Sequence, residues 1–363
     1  MENKYNLSEV FGETKSREVV MEEIIRSIAV YPVFRSLKEE YQEQFIQFCM
    51  GVRGVKMTYD TFFKHIFNPE RNPERLSEML SAIIGRKLIV KRALPLEHMR
   101  ITEKGSLLIL DIVVEFDTGE LADVEIQKVG YMFPGQRASC YASDMIMRQY
   151  EREKSIKGDH FTYKDLKKVY TIVFVENSGK EFKAYPEHYI HRGKIQFDTG
   201  ISLEFLQEFY FIPLDIFFAI QHNENEGTSM NELEAWLYFL GSDKPEDIMK
   251  LIHAHPRFKE LYQEICQFRK NPEVAIMMFS EALRKLDENT VKYMIEEQKK
   301  ELEENKKELE DNKKKLEDNK KKLEDSKKEL EDSKKKLEDS KRIMEEQQGE
   351  IERLRRMLAE LKS

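Results

Sequence analysis

The stretch from Leu110 to Lys128 constrains the fold most, because a short turn joins two runs of alternating apolar and polar residues there. The first run covers residues 110–116 and the second covers residues 121–127. A two-residue period of this kind is typical of a half-buried strand. The Asp-Thr-Gly segment between the runs, residues 117–119, suits a three-residue loop with glycine in the left-handed region. The sequence therefore predicts a β-hairpin.

The loop length also fixes which residues face each other in this hairpin. A three-residue loop pairs Phe116 with Glu120, and the same register places Asp111 opposite Glu125 on one face, with their Cβ atoms about 5 Å apart. A two-residue loop would instead set Asp111 against Ile126 and mix the apolar and polar faces. The register that keeps the apolar face clean therefore brings two carboxylates together.

Two neighbouring carboxylates predict a cation site. Their charges repel and shift each other's proton affinity, and a bound cation offsets that cost. Sites built from oxygen ligands suit Mg²⁺ or Mn²⁺, which bind through one or two carboxylates together with water and substrate phosphate. We therefore expect Asp111 and Glu125 to hold Mg²⁺ (or Mn²⁺).

This hairpin resembles that of the PD-(D/E)XK nucleases, and within them the Rpn-type recombination-promoting nucleases, or PD-(D/E)XK nuclease family transposases. That family carries an aspartate followed by Glu-x-Gln where most relatives have Glu-x-Lys, and these match Asp111 and residues 125–127. The segment 60–67, DTFFKHIF, is similar to the family's opening D-x-x-F-K-x-I-F. Further likeness lies in 158–166 and in 289–295.

The resemblance implies a fold, an activity and a ligand set. The fold is α/β, a restriction-endonuclease-like core in which helices flank a mixed central sheet, with helical additions and a long C-terminal helix or coiled coil. The activity is divalent-metal-dependent cleavage of double-stranded DNA, transposase-like and recombination-promoting. Asp111, Glu125 and the backbone carbonyl of Ile126 would bind the metal, and Gln127 stands where a lysine usually positions the attacking water.

Two helices carry the remaining candidate site residues. On a predicted helix over 131–150, Arg137 and Tyr141 match a family pattern, and the Arg137 guanidinium has the geometry to bind a scissile phosphate through two oxygens. The alternative for Arg137 is a surface ion pair with Asp144 or a neighbour. On the predicted helix 60–67, Asp60 and Lys64 are candidates to supply an acid or align substrate, although Asp60 is equally natural as a helix N-cap.

The rest of the chain up to residue 295 alternates between predicted helices and strands. The run 169–176 is almost wholly apolar, which predicts a central strand buried on both faces. The lone tryptophan, Trp236, lies in a predicted helix, 231–240, and is expected to pack in the core. Other predicted helices are 19–28, 37–50 and 74–84, and other predicted strands are 88–94, 194–197 and 209–212.

Charge argues against general nucleic-acid binding. The net charge is −8, and the tail from 296 to 363 has 21 basic and 22 acidic residues, so the remaining body carries −7. An acidic body binds nucleic acid poorly unless basic residues gather locally. The alternative is that the candidate basic residues are ordinary solvated charges. They are Arg86, Lys87, Lys91, Arg92, Arg100, Lys164, Lys167 and Lys168.

The cysteines and the apolar runs bear on location. Three cysteines, Cys49, Cys140 and Cys266, are widely spaced and form no C-x-x-C pair, which favours a reducing cytoplasm and argues against a zinc site. No apolar run approaches the roughly 18 residues of a membrane span, and the N-terminus lacks the pattern of a signal peptide. We expect a cytoplasmic protein with no membrane contact.

From residue 301 the chain becomes a seven-residue repeat in which leucine recurs once per repeat. With leucine at position a, position d is Asn or Ser; with leucine at d, position a is Lys, so pairing along the repeat should be weak. Acids and bases four residues apart support it as a lone helical spacer. Apolar residues at 3-4 spacing return at the end and predict a homodimer seam there. They are Met344, Ile351, Leu354, Leu358 and Leu361.

These observations predict four parts and leave more than one function open. The parts are an N-terminal helical extension (1–57), the nuclease-like core (58–240), a helical segment (241–295) and the heptad-repeat helix (296–363). The first hypothesis is the metal-dependent DNA endonuclease. The alternative is a catalytically inactive family member that acts as a coiled-coil binding or scaffold protein, favoured by Gln127 and by the acidic body. An RNase on the same fold stays open.

Overall fold

The computed structural model describes residues 7–94, 112–129, 134–223 and 229–360. The chain divides into two compact units, Met1–Met294 and Ile295–Ser363, and each is described here by itself. The division of the first unit into three parts stays a prediction.

A mixed sheet of six strands forms the centre of the first unit. The strand order is β1-β2-β3-β4-β6-β5. The β3–β4 and β4–β6 pairs are parallel, and the other three pairs are antiparallel. The strands are β1 (Val90–Ala93), β2 (Ile112–Phe116), β3 (Leu121–Val129), β4 (Val169–Asn177), β5 (His191–Gly193) and β6 (Gln207–Pro213).

Strands β2 and β3 form the predicted hairpin. Ile112 pairs with Val124, and the Phe116 amide donates to the Glu120 carbonyl at 2.9 Å. Gly119 closes the three-residue loop with φ at 81°. The predicted loop and register are therefore confirmed for the described part of the hairpin. Asp111, the next residue before β2, lies outside the described residues.

Strand β4 occupies the central position that its apolar sequence predicts. Its first seven residues are all buried, and it lies between β3 and β6. The predicted strand 194–197, in contrast, is wrong, because residues 191–193 take the place beside β6. Ile195 and Phe197 are 44% and 38% exposed, so the alternation in that segment buries no face of a sheet.

Helices surround the sheet on both faces. The predicted helix over 74–84 is confirmed, with proline in its first turn and Gly85 at its C-cap in the left-handed region. The described helices are α1 (Ser8–Phe11), α2 (Arg17–Arg26), α3 (Val30–Ser36), α4 (Glu39–Met50), α5 (Asp60–Ile66), α6 (Pro73–Ile84), α7 (Pro134–Lys157), α8 (Lys180–Lys183), α9 (Leu214–Asn223), α10 (Glu232–Gly241), α11 (Pro245–Ala254), α12 (Phe258–Gln267) and α13 (Pro272–Glu360).

The two faces of the sheet contribute to separate hydrophobic clusters. Val124 of β3 and Ile172 of β4 belong to the larger cluster, the main core, which also contains Phe63 and the buried Trp236, as predicted. On the opposite face, α7 packs on β3 and β4 and forms the smaller cluster. Its buried members are Val113, Leu121, Tyr141, Ala142, Met145 and Val169.

The second unit is helical throughout its described residues, as the seven-residue repeat predicts. The leucines of the repeat are 55–59% exposed along this helix, and Ile351 and Leu354 near its end are 51% and 55% exposed. None of the helices in the described part of the chain combines the length and the apolar character needed to cross a membrane.

Candidate functional site

The polar face of β3 is the centre of the candidate site. Asp123, Glu125 and Gln127 alternate along this strand, and all three side chains are buried, with exposures of 0%, 4% and 5%. Asp123 pairs with Val113, a member of the cluster beneath α7, so all three point to the α7 side of the sheet. Three buried polar side chains thus lie on the face of the sheet against which α7 packs.

This face contains buried oxygens that accept no hydrogen bond from any described residue. They are Oε1 of Gln127 and Oγ1 of Thr171, which lies opposite Asp123 on β4. A buried oxygen without a donor costs about 1–3 kcal/mol, so a water or hydrated cation that reaches it gains a hydrogen bond. Carboxylate, amide and hydroxyl oxygens are the ligands that hard divalent cations prefer. The residues present therefore fit such an ion.

The predicted metal ligands are only partly described. Glu125 and Ile126 lie in β3, whereas Asp111 is outside the described residues. Ile126 packs its side chain against the main core, so only its backbone is available to the polar face. Among the described residues, no three His, Cys, Asp or Glu side chains cluster closely enough to hold a metal. The ligand set therefore stays a prediction.

Helix α7 brings both of its predicted residues to the same side of the sheet. Tyr141 is buried in the cluster beneath α7, and the Arg137 guanidinium lies over its ring, 5.3 Å from the centroid. This contact restrains a long side chain by a cation–π interaction. One turn further on, Asp144 forms an ion pair with Arg148 at 2.7 Å.

Glu115 is a buried acid on the same face, and sequence reasoning gave it no role. Its carboxylate accepts hydrogen bonds from Arg92 at 2.6 Å and from Arg152 at 2.7 Å. Burial alone would raise the pKa of Glu115, but the Arg92 hydrogen bond and the positive charge of Arg152 outweigh it and lower the pKa below its ordinary value. Glu115 is thus an acid already neutralised by two arginines.

The two candidates on α5 lie on a helix of the main core. Phe63 and Phe67 of this region are fully buried in the same cluster as Val124, whose side chain points away from the polar face of β3. The N-cap of α5 is Tyr59 rather than Asp60, which is the first helical residue. The functional roles of Asp60 and Lys64 stay predictions.

Several candidate basic residues form ion pairs within the protein. Arg86 pairs with Glu120, Arg92 with Glu115, and Lys168 with Glu208. Lys87, Lys91, Lys164 and Lys167 are exposed, and Arg100 lies outside the described residues. These three residues are paired with acids of the protein itself, and a role for the group in nucleic-acid binding stays a prediction.

Sequence reasoning also passed over Asp123 and Thr171. A signal for each was present, because Asp123 precedes Glu125 by two residues and Thr171 is the one hydroxyl of residues 169–176 besides Tyr170. Their buried juxtaposition depends on the β3–β4 register and on α7, which no local pattern specifies.

Comparisons with known proteins identify the family to which the chain belongs. A family model described as PD-(D/E)XK nuclease family transposase matches residues 57–298. Searches of curated proteins and of solved structures gave no match. The mixed six-stranded sheet flanked by helices is consistent with the restriction-endonuclease-like core of that family. The chain is therefore a member of the PD-(D/E)XK nuclease family transposases.

Proposed function

We propose that this protein is a divalent-metal-dependent endonuclease that hydrolyses phosphodiester bonds of double-stranded DNA in a transposase-like, recombination-promoting reaction. The observation that carries the proposal is the buried polar face of β3, where Glu125 and Gln127 lie on the α7 side of the sheet. Family membership supports the same chemistry.

Asp111, Glu125 and the backbone carbonyl of Ile126 would hold Mg²⁺ or Mn²⁺. When bound, such an ion supplies positive charge at the scissile phosphate and lowers the pKa of an attacking water. Because Glu125 is only 4% exposed, the residues around it exclude bulk water and strengthen electrostatic interactions with the substrate. We therefore expect the cleavage activity to be most sensitive to substitution of the Glu125 carboxylate.

Gln127 and Arg137 would act on the water and on the phosphate. The Gln127 amide oxygen, buried and without a donor among the described residues, accepts a hydrogen bond from the attacking water and orients it. An amide brings no positive charge, so the Arg137 guanidinium offsets the charge that develops on the phosphate. The Tyr141 ring beneath Arg137 holds the guanidinium in position.

Plasmid nicking in Mg²⁺ tests this proposal. We expect Glu125→Gln and Asp111→Asn each to lower the nicking rate by at least about 100-fold, because each removes an anionic ligand while keeping nearly the same shape. Asp117→Asn is the matched control, since Asp117 is an exposed acid on the loop of the same hairpin and should keep wild-type activity. Circular dichroism verifies that all variants fold.

Equal nicking by the site variants and the wild type would reject the proposal. Parallel assays with single-stranded DNA and RNA establish whether duplex DNA is the preferred substrate. Cleavage of RNA alone would favour the hypothesis that the protein is an RNase. The measured rates must depend on added Mg²⁺.

A second candidate is a catalytically inactive member that acts as a coiled-coil binding or scaffold protein. Gln127 in place of the usual lysine and the net charge of −8 favour it. Calorimetry with Mn²⁺ separates the two, because an active site binds Mn²⁺ in competition with Mg²⁺ and loses that binding in Glu125→Gln. A scaffold protein that lacks the metal site gives no heat of Mn²⁺ binding that Glu125→Gln abolishes.

In either case the proposed assembly is a homodimer through the end of the C-terminal helix. Ile351 and Leu354 of the apolar stripe there are 51% and 55% exposed in the single chain, so a second copy has apolar surface to cover. A dimeric nuclease also supplies one site for each strand of a duplex.

A further inference from the structure

A cavity of about 700 Å³ lies beside α7, on the part of the sheet that this helix leaves uncovered. Its volume is within the range of about 300–1,000 Å³ that is typical of small-molecule sites. Its described lining consists of Gly135, Gln136 and Ser139 of α7 and of Gly193, Phe209 and Phe211 of β5 and β6.

The cavity lies on the same face of the sheet as Glu125. Glu125 pairs with Val173 of β4, and Val173 pairs with Phe211 of β6, so these three residues form one row across the sheet. Adjacent strands are about 4.8 Å apart, which puts the backbones of Glu125 and Phe211 roughly 10 Å apart. Phe209 lies two residues earlier on the same face.

The floor of the cavity is aromatic. Phe209 and Phe211 are both partly exposed, and Phe211 is held by a ring contact with Phe182 at 5.6 Å. Gly193 pairs with Phe209 and adds no side chain to the floor, where a Cβ would lie in ordinary contact with Phe209, 3.4 Å from its Cβ. The two phenylalanines therefore offer aromatic surface against which a ring of a ligand can pack.

The wall that α7 contributes is small and polar. A Cβ added to Gly135 would meet no atom within 4 Å, so this turn of the helix leaves open space. The exposed Gln136 carries an amide with both donor and acceptor groups. A ligand that fits has one apolar face and a hydrogen-bonding edge, which is the chemistry of a nucleobase.

We propose that this cavity binds an unpaired nucleobase of the DNA strand that is cut at Glu125, an assignment that rests on the function proposed above. A base near the scissile phosphate is within reach, since the floor is roughly 10 Å from Glu125. A base inside a duplex is stacked and paired, and reaching the cavity requires it to leave the helix. The enzyme therefore favours DNA in which a base near the cut is unpaired.

A surface substitution blocks the cavity without altering the core. Ser139 is exposed on α7 and lines the cavity, so Ser139→Tyr fills it with a large ring. Ser143→Tyr is the matched control, because Ser143 is also exposed, lies one turn further along α7 and is not part of the lining. Each serine hydroxyl donates to the carbonyl four residues earlier at 2.7 Å, so both variants lose the same hydrogen bond.

The measurement is the affinity for two short duplexes, in EDTA so that no cleavage occurs. One duplex is fully paired, and the other has a single unpaired 2-aminopurine, whose fluorescence also reports stacking. We expect the wild type and Ser143→Tyr to bind the unpaired duplex about 10-fold more tightly, as base–aromatic stacking contributes. In Ser139→Tyr we expect this preference to fall below about 2-fold.

Equal affinities of the wild type for both duplexes, or the same preference in both tyrosine variants, would overturn the assignment. Mn²⁺ binding and plasmid nicking are measured on the same preparations. Loss of the preference in Ser139→Tyr alone supports the cavity even if the wild type does not cut DNA, in which case only the proposed function fails. Mg²⁺-dependent nicking with no preference for the unpaired duplex would support the proposed function and reject the assignment of the cavity as a nucleobase site.

Discussion

At the scale of single residues, two buried glutamates on one sheet face have different environments. Glu115 is neutralised by Arg92 and Arg152, whereas Glu125 is the proposed metal ligand. The alternating pattern places both on the polar face and cannot separate them, because the arginines come from β1 and from α7. The distinction between a structural and a chemical acid therefore appears only with the tertiary contacts.

The Glu115 ion pairs predict a pH-dependent stability. We expect Glu115→Gln to lower the free energy of unfolding by about 1–2 kcal/mol at neutral pH, toward the low end for charged hydrogen bonds because Arg92 is half exposed. The folded-state pKa is below the ordinary value of 4.5, so this contribution is complete above that value and is lost as the pH falls through the folded-state pKa.

Urea unfolding at pH 7 and at about pH 3 measures this difference. The gap between wild type and Glu115→Gln should shrink at the lower pH. Glu151→Gln, an exposed acid on α7 next to Arg152, should change stability by less than about 0.5 kcal/mol at either pH. A gap that widens on acidification contradicts the assigned sign.

At the scale of elements, the sequence predicted those features of the sheet that depend on residues close together in the chain. The loop chemistry at 117–119 and the alternation around it gave the register of β2 and β3, and the apolar run gave the position of β4. The failure at 194–197 has a nonlocal cause, because residues 191–193 pair with β6 instead. The burial of Asp123 beside Thr171 is equally nonlocal, since it depends on the packing of α7.

The prediction at the scale of elements concerns the stability of the hairpin loop. Gly119 has a φ of 81°, and an added Cβ would lie 3.5 Å from Cγ of Lys167, an ordinary contact with a flexible side chain. Substitution therefore has mainly a backbone cost. We expect Gly119→Ala to lower the free energy of unfolding by about 1–2 kcal/mol, and Gly119→Asn to lower it by less, because asparagine tolerates the left-handed region.

Urea unfolding of the two Gly119 variants and the wild type decides this point. Stabilities that are equal within error for alanine and glycine would show that the loop does not require the left-handed conformation. A smaller loss for asparagine than for alanine identifies the backbone, rather than side-chain bulk, as the cause.

At the scale of the whole molecule, charge and assembly are linked. A protein with a net charge of −8 gains little from general attraction to DNA, and Arg86, Arg92 and Lys168 are already in ion pairs. The proposed binding therefore depends on local contacts, which are those of Arg137 and of the cavity. Two such weak sites joined in a dimer bind one duplex more tightly than either alone.

The sequence of the C-terminal helix predicts where the proposed dimer forms. Leu316 in the repeat and Ile351 near the end are 57% and 51% exposed, so exposure in the single chain does not distinguish them. Their heptad neighbours do, because the residue three positions on is Asn319 for Leu316 and Leu354 for Ile351. An apolar residue at both a and d gives a continuous seam, whereas a polar d position weakens it.

We therefore expect the full chain to be a dimer that Ile351→Glu converts to a monomer, because a buried, unpaired charge at the seam is costly. Leu316→Glu, the same change five heptads earlier, should leave the dimer intact, since pairing along the repeat is weak. Sedimentation equilibrium at several concentrations measures both. A monomeric wild type, or equal loss of dimer in the two variants, would show that the terminal segment is not the seam.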